Sequence, residues 1–225
     1  MDFETIDVLY RSRQTLLQIL KAKGYNTKPY EKFGPFEIET MAAGDREVSL
    51  HMSLEREVPE GAGIPAKCIV SYAIPKVKNR LNGYLTRLLE DEDGEPLIDP
   101  ATTEVIVITL EGIGDTFTNA ALRLWASSRL RIAFFDANTL VLNPLEHVLV
   151  PRHELVPQDQ HADLLRRLNC DNKMQTLAEN KKKLPIIKFH EDMIGRILGL
   201  VPGDIVKVTR PSPQAGEYVV YRVCS

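Results

Sequence analysis

His147 and His153 are the side chains in this sequence best suited to chemistry, since two imidazoles can share a metal ion or move a proton near neutral pH. Their spacing works against it. They lie six residues apart with Val150-Pro151 between them, and proline breaks the helical geometry that would bring both rings to one side. Only a hairpin could deliver them to one metal. The arrangement instead predicts ring nitrogens bonded to backbone carbonyls in a buried turn. A second candidate is a divalent-metal nuclease, for which an acid-x-Lys pattern at a strand end, beside a further acid, would hold Mg²⁺ against a phosphodiester. Asp171-Asn172-Lys173 has the pattern but falls in a polar linker, and Asp99 stands alone before an apolar run with no Lys at the needed distance. Cys68, Cys170 and Cys224 are odd in number, far apart and never in a Cys-x-x-Cys pair, which argues against both a disulfide framework and a zinc site. No His-Glu-x-x-His, Gly-x-Ser-x-Gly or Gly-rich loop ending in Lys-Ser/Thr occurs, so the metalloprotease, serine-hydrolase and P-loop classes lack support. The expectation is a chain with no catalytic residue, no metal ligand and no cofactor.

The 225 residues, 44% hydrophobic and 26% charged, suffice for one large or two small domains. A formal charge of −3 excludes a generally basic nucleic-acid binder, while leaving room for a local basic face. Residues 1–144 carry sixteen Lys and Arg against twenty-one Asp and Glu, net −5, and residues 145–225 carry twelve against ten, net +2. That asymmetry favours two units. Met1-Asp2-Phe3-Glu4 has neither the basic flank nor the apolar run of a signal peptide, and no apolar stretch has membrane-spanning length, so the expectation is a cytosolic or nuclear protein with no membrane partner.

The elements that would position any site follow from the periodicity. Ile6, Leu9, Leu16, Leu17 and Leu20 recur at helical spacing behind Asp2 or Thr5, and Gly24 stops the helix. Phe36–Thr40 and Val48–Leu54 alternate like half-buried strands, Lys67–Ile74 reads as a strand, and Lys76–Leu89 as a helix running into the acidic loop Glu90–Glu95. Glu104–Leu110 is a β-branched run fit for a central strand, followed by a helix over Thr118–Ser128 and a strand over Leu130–Phe135. After Asn143-Pro144 come a short helix with Leu164, Leu165 and Leu168, a polar stretch from Asn169 to Lys183, a helix capped by Asp192 and ended by Gly199, and two strands, Ile205–Thr209 and Tyr218–Val223. Those strands flank a long loop from Pro211 to Gly216.

The second half carries an ordered resemblance. His147-Val148-Leu149-Val150-Pro151-Arg152-His153 is similar to the His-Glu-Leu-Val-Pro-Lys-His of the shared fifth subunit of eukaryotic DNA-directed RNA polymerases and of its smaller archaeal counterpart. Asp163-Leu164-Leu165-Arg166-Arg167 follows in place of Glu-Leu-Leu-Lys-Arg, and Leu184-Pro185-Ile186 resembles Leu-Pro-Arg-Ile. Most specific are Leu198-Gly199-Leu200-Val201-Pro202-Gly203-Asp204-Ile205-Val206-Lys207-Val208-Thr209-Arg210-Pro211-Ser212 and Gly216-Glu217-Tyr218-Val219-Val220-Tyr221-Arg222. They match that family's Leu-Gly-Leu-Lys-Arg-Gly-Glu-Val-Val-Lys-Ile-Ile-Arg-Pro-Ser and Gly-Arg-Tyr-x-x-Tyr-Arg. The first half is collinear but divergent: Leu17–Tyr25 resembles the family's first helix, and Ile132–Asn143 the strand pair before the His motif. The segments Gly44–Gly63 and Glu90–Glu95 align with nothing in the family.

The resemblance implies an α/β and α+β protein: a mixed-sheet jaw domain over residues 1–142, then a small α+β assembly domain over 143–225. It implies a non-catalytic structural subunit, located in the nucleus, or in the cytoplasm for a viral version. The expected partners are the largest polymerase subunit and the small shared sixth subunit, together with downstream duplex DNA held weakly and only in the context of the whole enzyme. His147, Pro151, Arg152, His153, Pro202, Gly203, Lys207, Arg210, Tyr218, Tyr221 and Arg222 would form the assembly interface. Thr118, Asn119, Ala121 and Arg123 occupy the place of the family's DNA-facing Thr-Pro-Ser-Ala-x-Lys, with Asn119 for Pro and Ala120 for Ser; Arg123 would position a phosphate without reading sequence. A metal-dependent nuclease and a free-standing transcription adaptor are the alternatives.

Overall fold

The computed structural model describes residues 2–44, 49–58, 65–74, 76–90 and 93–225. The chain divides into two compact units, Met1–Asn143 and Pro144–Ser225.

In the first unit, α1 (Phe3–Ala22) begins where Asp2 Oδ1 accepts the Thr5 N–H at 2.9 Å. It stops at Gly24, whose φ of +91° lets the Tyr25 N–H turn back to Leu20 O at 3.0 Å. Its apolar stripe (Ile6, Leu9, Leu16, Leu17, Leu20) is buried. Arg13 is buried with it, 1% exposed: Nη1 donates to Leu50 O at 2.9 Å, and the guanidinium faces the rings of Tyr30, Phe33 and Tyr72 at 5.8–6.0 Å.

The strand expected over Phe36–Thr40 is instead helix α2 (Pro35–Ala43). Pro35 has its φ pre-set for a first turn, and the Glu37 carboxylate reaches back to accept the Gly34 N–H at 3.0 Å. Phe36 is 75% exposed, whereas Ile38 and Ala42, four apart, are buried. The Phe36–Ile38 alternation therefore never lines one face. The next strand, β1 (Met52–Glu55), is shorter than the expected 48–54, and Val48 lies outside the described residues.

β1 pairs antiparallel with β2 (Lys67–Ala73), which runs parallel to β3 (Thr103–Thr109) and through it to β4 (Arg131–Asp136), giving the mixed order β1-β2-β3-β4. All seven residues of β3 are buried, as its β-branched composition demands. Parallel neighbours need crossovers. The first is a 3₁₀ turn (Lys78–Arg80) leading into α3 (Leu81–Leu89), so α-helix starts later than the sequence pattern suggests; Glu111 Oε2 holds that entry by accepting the Val77 and Lys78 N–H groups at 2.7 and 2.9 Å. The second is α4 (Asp115–Ser128), packed through Phe117 onto Phe134 with ring centroids 5.2 Å apart. Asp91 and Glu92 of the expected acidic loop lie outside the described residues, as does much of Gly44–Gly63. The outer edge of β1 is partly covered: Tyr30 Oη accepts from Ser53 N and donates to Ser53 O, and Asn26 N donates to Glu55 O. Those bonds occupy backbone groups that another strand would use.

The second unit is built on β5 (Arg152–Val156), β6 (Ile186–Ile187), β7 (Ile205–Ser212) and β8 (Gly216–Cys224), in the order β5-β7-β8-β6, with β6 parallel to β8 and the other pairs antiparallel. Three short helices surround it: α5 (His161–Arg167), α6 (Leu177–Lys181) and α7 (Met193–Leu198). Because successive strand residues point to opposite faces, Ile205 and Val223 pack with Leu164, Leu165 and Leu184 on one side, and Val206, Val208 and Cys224 pack with Ile187 and Leu200 on the other. Both faces of a thin sheet are thus partly covered.

Two expectations for this unit are corrected. The polar stretch 169–183 contains α6, nucleated by a capping box in which Thr176 N–H reaches Glu179 Oε2 at 2.8 Å and Glu179 N–H reaches Thr176 Oγ1 at 3.3 Å. The long loop expected from Pro211 to Gly216 is only Pro213-Gln214-Ala215, since Pro211 pairs with Glu217 and Ser212 with Gly216. Proline lacks an N–H for the ladder but is tolerated near a strand's end, and Gly216, at φ +74°, supplies the left-handed residue that a three-residue hairpin favours.

Candidate assembly surface

The turn before β7 is fixed by Asp204, 3% exposed, whose Oδ2 accepts the Val201 N–H at 3.0 Å, while Gly203 adopts φ +94°. Lys181 Nζ then donates to Gly203 O at 2.8 Å, and the Gly203 N–H to Cys224 O at 2.9 Å. Burial lowers the Lys181 pKa and raises that of Cys224 to about 12. Pro202 and Gly203 therefore set where β7 begins and lie outside the grooves described next.

β7 and β8 divide the remaining predicted interface residues between two faces. His153, paired with Val208, shares a face with Arg210, Tyr218 and Arg222; Arg152, paired with Thr209, shares the other with Lys207 and Tyr221. On the first face an open groove is lined by His153, Ile186, Lys188, Glu191, Arg210 and Arg222. Tyr218 is 59% exposed, so basic groups and a large ring stand together there. His153 Nδ1 donates to Pro151 O at 2.7 Å, the expected carbonyl bond, but from a half-buried position on β5 rather than from a buried turn, and Arg222 Nη1 donates to Ile186 O at 2.9 Å. On the second face Glu154 divides its carboxylate between Arg152 at 2.6 Å and Lys207 at 3.4 Å. Tyr221 there rests against the Leu164–Leu165 cluster, so part of its ring belongs to the core.

His147 departs from expectation. It is exposed rather than buried, and its Nδ1 accepts the Leu149 N–H at 3.2 Å instead of bonding a carbonyl. The turn it forms leaves Val148 92% and Leu149 81% exposed, beside a groove also lined by Pro151, Arg152 and Arg210. Periodicity could not have flagged these two apolar residues, because they belong to no regular element.

In α4, Asn119 and Arg123 are exposed and Thr118 is half-buried, with Arg123 Nη2 donating to Asn82 Oδ1 at 2.6 Å. Ala121 is 1% exposed; it packs inward and can face no duplex. The nuclease candidates are engaged locally. Asp99 accepts from Ala101 N and Thr102 Oγ1, bonds that hold its carboxyl below the usual range, and Asp171 accepts from Asn180 Nδ2 at 3.1 Å. Among the described residues no group of three or more His, Cys, Asp or Glu side chains could hold a metal ion.

Likeness to known proteins defines first the class. Residues 142–224 match the model described as RNA polymerase Rpb5, C-terminal domain, a span that takes in the whole β5-β7-β8-β6 sheet. Across nearly the full chain the protein is similar to a Dictyostelium discoideum protein named DNA-directed RNA polymerases I, II, and III subunit rpabc1, at 26% identity over 98% of this chain and 99% of that one. A Caenorhabditis elegans protein named subunit RPABC1 of the same three polymerases is 24% identical over 96% and 94% of the two chains. The Archaeoglobus fulgidus DNA-directed RNA polymerase subunit Rpo5 is 41% identical over 78 residues, 35% of this chain and 90% of its own. The chain belongs to the Rpb5 family of DNA-directed RNA polymerase subunits.

Proposed function

We propose that this chain is a structural subunit of a multi-subunit DNA-directed RNA polymerase, docking through its second unit and presenting its first as a jaw near the incoming duplex. The observation that carries the reading is that residues 142–224, which take in the whole second-unit sheet, match the Rpb5 C-terminal domain. The groove face carrying His153, Arg210, Tyr218 and Arg222 is the better docking face, because large rings and arginine are what interfaces favour. The charges opposite are already shared with Glu154. The partners are the largest polymerase subunit and the small shared sixth subunit, and the site of action is the nucleus.

Toward DNA, Thr118, Asn119 and Arg123 offer a phosphate-positioning contact without sequence specificity. In a half whose net charge is −5, that contact acts only where the assembled enzyme holds the duplex close. The test is purification of the tagged chain from its native cell, with identification of the largest co-purifying protein. Polymerase large subunits in stoichiometric amount are expected; a chain that sediments alone would overturn the reading.

A further inference from the structure

The acidic first half contains a stretch, residues 116–135, with no Asp or Glu and three arginines, Arg123, Arg129 and Arg131. Two of these meet at the C-terminal end of α4, the end away from Thr118 and Asn119. The Arg129 and Arg131 guanidiniums lie over the ring of Trp125, 5.2 and 5.5 Å from its centroid. One turn earlier Leu122 is 44% exposed, and Ala126 beside it is exposed as well. Leu122, Trp125, Ala126 and Arg129 follow the i, i+3, i+4, i+7 spacing of one helix face, so apolar surface and cations form a single patch.

We propose that this patch docks an acidic segment of a partner protein, one in which carboxylates alternate with a large aliphatic side chain. The carboxylates would meet the edge of the Arg129 guanidinium, which offers paired donors at a spacing that fits a carboxylate. The aliphatic group would lie on Leu122 and the indole. A nucleic acid fits less well. Its phosphates make no use of the Leu122–Ala126 surface, and a long polyanion is repelled by a half carrying −5, which a short peptide tolerates.

Trp125 is the only tryptophan in the chain, so its emission reports on this patch alone. The experiment titrates the full-length chain with a synthetic peptide of Asp, Glu and Leu lacking aromatic residues, at low and high salt. A saturable change in emission that weakens with salt is expected. Arg129 is the C-cap of α4 with φ 60°, a conformation glycine adopts without strain. Arg129→Gly therefore removes the charge without unsettling the fold, and it weakens binding about tenfold, the loss expected of a charge-assisted contact. Leu122→Ser weakens it as well. No change in emission at about 1 mM peptide, or equal binding by Arg129→Gly, would overturn the proposal. So would a single-stranded oligonucleotide that shifts the emission more strongly than the peptide.

Discussion

Arg210 and Tyr218 are direct cross-strand partners on β7 and β8, as are Lys207 and Tyr221 three residues away, and the two pairs project from opposite faces of the sheet. A motif that reads as one continuous surface in the sequence is therefore two surfaces, and only one of them can meet a given partner squarely.

Charge reversal separates the faces. Arg210→Glu is expected to reduce co-purification of polymerase at least tenfold, since truncating or reversing a charged anchor at an interface costs about 2 kcal/mol or more. Lys207→Ala, which releases a cation already sharing Glu154, should leave recovery within about twofold, as do most paired surface charges. Quantitative pull-down of the two variants side by side decides it, and the reverse ranking would assign docking to the other face.

Asn180 holds the loop before α6. It is 2% exposed; its Oδ1 accepts from Asn172 N and Lys183 Nζ at 3.0 and 2.9 Å, and its Nδ2 donates to Asp171 Oδ1 and Asn172 O. Asn180→Ala removes every hydrogen bond of this buried amide and is expected to cost about 2 kcal/mol, read as a lowered urea midpoint with unchanged slope.

Acid should weaken the second unit through His190. This residue is 4% exposed, and burial, with Arg196 adding to it, holds its pKa down to about 3. An unfolded histidine takes up a proton near 6.5, so the unfolded state binds more protons between about pH 6.5 and 3. Stability is then full above that window and falls as pH drops through it, by about 2 kcal/mol at pH 5 from this residue. His161, whose pKa is also lowered by burial and whose Nδ1 has no hydrogen-bond partner among the described residues, adds in the same direction. Denaturant melts at pH 7.5 and 5.0 measure the loss. His190→Asn, which tolerates the left-handed φ of 60°, should flatten it.

Lys23 and Glu104 join the end of α1 to β3 at 2.6 and 2.8 Å, with side chains only 17% and 7% exposed. Removing one partner strands the other charge in a poorly solvated place. Glu104→Gln is expected to cost about 3 kcal/mol, whereas Lys23→Met combined with Glu104→Leu costs less than either single change. A double-mutant cycle by thermal melting checks the ranking.

Whatever depends on neighbours along the chain was legible in the residues alone. The stripe of α1, the β-branched run of β3, the Asp192 cap and Gly199 stop of α7, and the Pro202-Gly203 turn are local consequences of side-chain spacing and backbone freedom. The Thr176-x-x-Glu179 box was legible too, though the polar composition around it masked the signal. Whatever depends on residues far apart needed the folded chain. Phe36 alternates with Ile38 as in a strand, yet the segment is a helix packed on α1, which buries Ile38 with Ala42 and leaves Phe36 exposed. Ala121 sits within a segment expected to face DNA, yet packing turned it inward. The pairing of β7 with β8 separated Arg210 from Lys207, because a strand sends alternate side chains to opposite faces and register alone determines which residues of two strands share one.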